Sequence, residues 1–137
     1  MKLKKLRKKV SDGSGFVLYK RTEHGLKLIV LIKPNGKFDL PKGHSDCTDV
    51  DSFATAQREC FEETGIFVSK NEVLKGRHFQ DRSLTMFCAV TDQDPVISRN
   101  PVTGNFEHIA YVLIDPEDAC KILPNYLAKA VKWSMPA

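Results

Sequence analysis

Residues Ser52 to Thr64 constrain the fold more than any other stretch, because they read as one helix with two incompatible faces. Asp51 or Ser52 can cap its first amides, and Gly65 stands where a left-handed stop residue is favoured. At about 100° per residue, Phe53, Ala54, Gln57, Cys60 and Phe61 fall on one side, while Glu59, Glu62 and Glu63 cluster on the other. A helix divided in this way lays its apolar side on a core and holds three acids off it. Acids at i, i+3 and i+4 repel one another unless a cation sits among them. Arg58 can supply that cation within the chain, which gives a solvated acidic face with an intrahelical ion pair. A divalent ion is the other solution. Hard oxygen ligands suit Mg²⁺ or Mn²⁺, and Mg²⁺ commonly links a few carboxylates to substrate phosphates, so the second solution predicts phosphate chemistry.

The rest of the chain bounds what this helix can belong to. At 137 residues the chain has material for one hydrophobic core and too little length for two. The longest nearly apolar stretch, Leu26 to Ile32, already contains Lys27 and is far shorter than the roughly 18 to 20 residues of a bilayer span. A transmembrane protein is excluded on that ground, and the basic start lacks the apolar run of a secretory signal, so a cytoplasmic location is expected. Cys47, Cys60, Cys88 and Cys120 are scattered without a C-x-x-C pair, which suggests ordinary thiols rather than a zinc site or a disulfide framework. The formal charge of +4 is local: six of the 21 basic residues lie between Lys2 and Lys9, leaving 15 against 17 acids in the remainder. Residues 1–12 therefore read as a basic segment and 13–137 as the folded domain. Such a segment can make weak RNA contacts or can simply be solvated.

Apolar spacing switches between period two and helical period along the chain, which is an α/β plan. Strands are expected at Gly15 to Lys20, Lys27 to Lys33, Phe38 to Leu40, Ser83 to Val90 and Phe106 to Ile114, with a weaker one near Val73 to Phe79. Thr22 to Gly25 and Pro34-Asn35-Gly36 mark two hairpins. A second helical region is expected between Pro116 and Met135, broken at Pro124, and Thr91 to Asn105 is expected to be irregular.

The run Arg58-Glu59-Cys60-Phe61-Glu62-Glu63-Thr64-Gly65-Ile66, preceded by Leu40-Pro41-Lys42-Gly43-His44, resembles the Nudix box, G-x5-E-x7-R-E-U-x-E-E-x-G-U with U aliphatic. Gly43 matches the opening glycine, Arg58, Glu59, Glu62, Glu63, Gly65 and Ile66 match the second half, and Cys60 takes the first aliphatic position. Gly43 and Arg58 are fifteen positions apart, one more than the pattern has, so the middle glutamate falls on Val50 counted back from Arg58 and on Asp49 counted forward from Gly43. A one-residue insertion within Ser45 to Val50 accounts for this, with Asp49 or Asp51 in place of the missing glutamate.

The resemblance implies a Nudix α/β/α sandwich, with a mixed β-sheet between helices and a loop-helix-loop metal site beside it. It also implies that Glu59, Glu62, Glu63 and the Gly43 carbonyl ligate Mg²⁺ or Mn²⁺, and that the reaction is hydrolysis of a phosphoanhydride, usually in a nucleoside diphosphate linked to some other moiety. Outside the box, Leu40-Pro41-Lys42-Gly43-His44, Glu107-His108-Ile109-Ala110-Tyr111 and Glu117-Asp118-Ala119-Cys120 are similar to stretches of asymmetric diadenosine tetraphosphate hydrolases. That likeness runs from Gly15 to Cys120 and is weakest between Phe67 and Phe106. It implies Glu107 as a further metal ligand or general base at the start of a strand. Glu59, Glu62, Glu107 and Arg58 are then the candidate catalytic residues. Lys42, His44 and Arg82 become candidate phosphate contacts, and Tyr111 or Phe79 the aromatic that stacks on adenine, with Phe87 assigned to the core. The implied reaction splits diadenosine tetraphosphate into ATP and AMP. Diphosphoinositol polyphosphates, the 5′ end of RNA and modified nucleoside triphosphates are the rival substrates, and a silent nucleotide-binding module is the rival without catalysis. Monomer and dimer both stay open.

Overall fold

A computed structural model describes residues 12–74, 76 and 78–136 of the chain. The basic segment called at 1–12 lies outside the described residues but for Asp12. Seven strands make one sheet: β1 (Gly13–Thr22), β2 (Gly25–Ile32), β3 (Phe38–Asp39), β4 (Lys42–His44), β5 (Phe79–Asp81), β6 (Leu84–Thr91) and β7 (Ala110–Ile114). Three α-helices accompany them among the described residues: α1 (Ser52–Thr64), α2 (Pro116–Ile122) and α3 (Asn125–Ser134).

β1 is the axis of the sheet. It runs parallel to β6 over Gly13 to Lys20, and on its other edge it pairs with two partners in turn. Near the first hairpin, Tyr19 to Thr22 pair with Gly25 to Leu28 of β2; at its start, Gly13 to Gly15 pair with Lys42 to His44 of β4. Between those registers β1 and β2 part, and the segment of β3 and β4 enters the gap. β3 pairs with the far end of β2, and β7 covers the opposite edge of β2. The chain is admitted to this gap at Gly15, where a Cβ would collide with the Pro41 carbonyl and the Lys42 side chain. Phe16 N donates to the Pro41 carbonyl at 3.0 Å and fixes the insertion.

Alternate residues of β1 face opposite ways, and both faces are covered. Phe16 and Leu18 join Ile29, Leu31 and Ala89 against Ala56 and Cys60 of α1. Val17 and Tyr19 join Leu28, Val30, Met86 and Cys88 against Ala119 of α2 and Leu127, Ala130 and Val131 of α3. The result is the expected α/β/α sandwich with a mixed sheet. Pro124 separates α2 from α3, both hairpins form where expected, and no disulfide joins the cysteines.

Three expectations are corrected. The last strand starts at Ala110 rather than Phe106, because Ile109 N already donates to the Ile32 carbonyl while residues 106–108 stay irregular. The weak strand near Val73 to Phe79 reduces to a single bridge at Val73 and to β5 at Phe79–Asp81, paired with β6. The face of α1 is also rotated: Phe61 is 55% exposed and Glu63 only 8%. Cys60 is the centre of the buried side, so Ala56 and Thr64 at i−4 and i+4 pack inward, and Glu63 at i+3 goes with them.

Gly15→Ala is expected to lower stability by about 2 kcal/mol, the usual scale of overpacking. Gly76→Ala, which meets nothing within 4 Å, should stay within about 0.5 kcal/mol of the parent. Urea unfolding of the two variants checks the difference.

Candidate active site

The site is assembled where α1 crosses β4 beside the inserted segment. Asp51 Oδ1 accepts from Ala54 N at 2.8 Å and starts the helix, so of the two acids considered for the loop, Asp51 is the cap. Gly65, at φ +72°, closes the last turn through its amide on the Phe61 carbonyl. Between these stops Glu59 and Glu63 lie against β4, and Glu62 lines the cleft beside them. Lys42 N donates to Glu63 Oε1 at 3.1 Å, and a Cβ on Gly43 would collide with the Glu59 carboxylate. Glycine at 43 therefore serves close approach of backbone to carboxylate.

Arg58 binds the loop to the helix. Its Nε and Nη2 donate to Asp49 Oδ1 and Oδ2 at 3.0 and 2.9 Å, Nη2 also to the His44 carbonyl at 2.8 Å, and Nη1 to Glu59 Oε1 at 2.8 Å. Glu62 stands at 3.4 Å from the same Nη1. Asp49 is thus the acid that meets the box arginine. Its fork with Arg58 holds its carboxyl down at about 2 against some desolvation, while Asp49 in turn pushes the guanidinium further up.

The carboxylates differ in their surroundings. Burial drives Glu63 up to about 10, and the charges of Glu59, Asp39 and Glu107 add to the effect. Burial also raises Glu59, though the Arg58 hydrogen bond opposes it. Glu62 remains about a third exposed. Glu107 reaches the site from the irregular segment before β7, where Asn100 Nδ2 donates to its Oε1 at 3.0 Å. Asn100 also accepts from Val102 N and Thr103 N, so one asparagine shapes the loop and steadies the acid. Glu62, Glu63, Ser98, Asn100, Glu107 and His108 line a small cleft.

Behind the cleft lies a buried polar group. Asp39 accepts from His108 Nε2 at 3.0 Å and from Lys42 Nζ at 3.2 Å, and Lys42 in turn lies 6.0 Å over the Tyr126 ring. Burial alone would raise Asp39, but the His108 and Lys42 contacts outweigh it and hold its carboxyl below the ordinary value.

The predicted substrate residues are distributed unevenly. Lys42 is committed to Asp39, yet with Gly43, His44, Leu84 and Tyr126 it lines a groove next to the acids. Arg82, at φ +55° in the β5–β6 turn, lines the continuation of that groove with Lys129 and Tyr126. Tyr111 is half-buried against the core beneath α1, with Phe87, and Phe79 packs against Trp133 at 5.9 Å on the other face of the sheet. The aromatic in the groove is Tyr126, which the sequence reading missed, as it did Asp39 and Asn100. No local pattern marks them, since each acquires its place through a tertiary contact.

The donor set fits a divalent cation. Several carboxylates converge beside β4, one of them buried and accepting from the Lys42 amide, and one ligating atom from each of Glu63, Glu107 and His108 lies within 4.8 Å of the others.

Comparison with known proteins agrees with this geometry. A model of the NUDIX domain matches residues 10–134. No curated protein sequence matches. Among solved structures, a binary complex of Caenorhabditis elegans Ap4A hydrolase is similar at 22% identity and TM-score 0.66, over 90% of this chain and 93% of that one. The Escherichia coli dihydroneopterin triphosphate pyrophosphohydrolase is similar at 16% and 0.63, over 91% and 97%. The NUDIX domain of Shewanella oneidensis NrtR, complexed with ADP ribose, follows at 17% and 0.63, over 88% and 85%. These likenesses share the sandwich, and the family match spans the glycine strand and the helix of acids together, so the chain belongs to the Nudix hydrolase family.

Proposed function

We propose that this Nudix hydrolase cleaves a dinucleoside polyphosphate, diadenosine tetraphosphate, into ATP and AMP with Mg²⁺ or Mn²⁺. The observation that carries the reading is the junction of two surfaces at Gly43: the carboxylates of α1 and Glu107 on one side, and on the other a groove lined by Lys42, His44, Arg82, Tyr126 and Lys129 together with Asp12 and Asp81. A substrate with nucleosides at both ends of a long phosphate chain needs such an extended cationic and aromatic path beside the acids. The similarity of fold to the nematode Ap4A hydrolase supports the same choice.

In this reading Glu59, Glu62, Glu63, Glu107 and the Gly43 carbonyl hold the ion, which when bound polarises phosphoryl oxygens and makes a water more acidic. The chain's own groups do the remainder. Arg58 keeps Glu59 and Glu62 aligned while its other nitrogens hold Asp49 and the His44 carbonyl. Glu62 and Glu107, the least buried carboxylates of the set, are placed to accept the proton of the attacking water. The water oxygen bonds to phosphorus, the anhydride P–O bond breaks, and its oxygen leaves on the departing nucleotide. His44, exposed beside Gly43, is placed to contact a phosphate, and Tyr126 to stack on a base. Residues 13–137 form the catalytic domain. No helix among the described residues is long and apolar enough to cross a membrane, and we place the protein in the cytoplasm. The basic residues before Val10 are assigned weak contacts with RNA phosphates, which salt weakens steeply.

Glu62→Gln should reduce kcat by at least about 100-fold, a loss typical of a removed acid–base group, with the thermal unfolding midpoint little changed. Parental activity in that variant would remove Glu62 from the metal and proton-transfer set. Offered diadenosine tetraphosphate, a diphosphoinositol polyphosphate, ADP-ribose, dGTP and 5′-triphosphorylated RNA with Mg²⁺, the enzyme should show its highest kcat/KM on the first, with ATP and AMP as products by chromatography. A higher value on any other substrate overturns the dinucleoside assignment and keeps the phosphoanhydride chemistry.

A further inference from the structure

Lys42 directs two nitrogens at two different acids. Its backbone amide donates to Glu63 Oε1 at 3.1 Å, and its side-chain ammonium pairs with Asp39 Oδ1 at 3.2 Å. The residue is anchored beside Glu63 while its charge is held elsewhere. Asp39 holds it from the short strand β3, where it is 4% exposed and its carboxylate also accepts from Leu40 N at 2.9 Å and His108 Nε2 at 3.0 Å. Tyr126 presents its ring to the same ammonium, 6.0 Å from the centroid, and both residues line the groove.

A buried ion pair of this kind contributes little net stability, because desolvation of the two charges offsets their attraction. Its consequence for the neighbouring acids is larger. Lysine is a compact charge on a flexible four-carbon stem, and a part-buried ammonium deprived of its partner turns to another carboxylate within reach. Burial works against the charge of Lys42, but Asp39 outweighs burial, and Tyr126 and Glu63 add to the effect, so the amine holds its proton more firmly than usual. Glu63 therefore already lies within the electrostatic reach of that ammonium.

We propose that Asp39 is a positioning residue that acts through Lys42: it keeps the ammonium on the groove and so leaves Glu63 available to a divalent cation. The inference rests on the reading of Glu63 as a metal ligand. It gives a part to a residue four positions before Gly43 and outside the box pattern. Without the charge of Asp39, the lysine becomes an internal competitor for the ion.

The test measures Mn²⁺ binding to the full chain by calorimetry, without substrate. Asp39→Asn keeps the shape and an acceptor for Leu40 N but removes the charge, and its affinity should fall at least about tenfold, the scale on which groups behind a metal ligand act. Lys42→Met should bind no more weakly than the parent. The double variant Asp39→Asn/Lys42→Met should regain the parental affinity, because the competitor has gone together with the acid that restrained it. A loss that the double variant shares overturns the proposal, since Asp39 would then support the site by structure alone. An Asp39→Asn variant that binds like the parent does the same, as does a Lys42→Met variant that binds more weakly. Should Asp39→Asn not fold, ¹⁵N-lysine spectra of the parent and Glu63→Gln decide. The Lys42 ammonium resonance, slowed in exchange by its ion pair, should persist in Glu63→Gln, and its loss there would show that Glu63 was its partner and sink the proposal. A parent that binds no Mn²⁺ removes the metal reading of the acids itself, a failure visible before any variant is made.

Discussion

A single guanidinium holds the acidic edge of α1 and the loop before it in shape. Arg58 sits on α1 and spends its donors on Asp49 and the His44 carbonyl in the preceding loop and on Glu59 in its own helix, with Glu62 at 3.4 Å. The planar fork imposes directions as well as charge, since a bidentate pair with Asp49 leaves the remaining nitrogens aimed along the helix edge. Lysine would keep the charge and lose the geometry.

The same edge concentrates negative charge that the chain only partly neutralises. Arg58 serves the outer acids, but Glu63 is buried beyond its reach and receives a backbone amide from Lys42 in place of a cation. Below it, Asp39 is neutralised by Lys42 and braced by His108. The buried layer is therefore neutralised around Asp39 by an ion pair, whereas around Glu63 burial favours the protonated carboxyl. Pairing Lys42 with Asp39 also explains why a lysine beside the acids does not discharge them.

Legibility of the fold followed the kind of interaction involved. The central strands, the capped helix and the break at Pro124 announce themselves through period, Asp51, Gly65 and proline, all of which act locally. The box acids are similarly local, because one helical turn brings them together. β4 was not foreseen, since three residues after a proline carry no strand signal and owe their pairing to the parting of β1 and β2. The inward turn of Glu63 escaped a wheel that treated all acids as outward, although Cys60 as the centre of the buried side would have required it. Glu107 was found as a residue and misplaced as a strand start, while Asn100, Asp39 and Tyr126 gain their places from contacts across 7 to 84 positions of sequence. Such pairings have no period to read.

The additional residue in the loop between β4 and α1 shows what this site measures. Asp46 and Asp49 close a tight turn, with Asp49 N on the Asp46 carbonyl and Asp46 N on Asp49 Oδ2, and this local knot takes up the extra length. Arg58 still finds a carboxylate, a shorter one, delivered by the loop at the distance its fork can span. Registration here is kept in ångströms from the glycine strand and not in residues along the chain. In this chain the loop tolerates a length the written pattern does not allow, because an acid still arrives within reach of that one arginine.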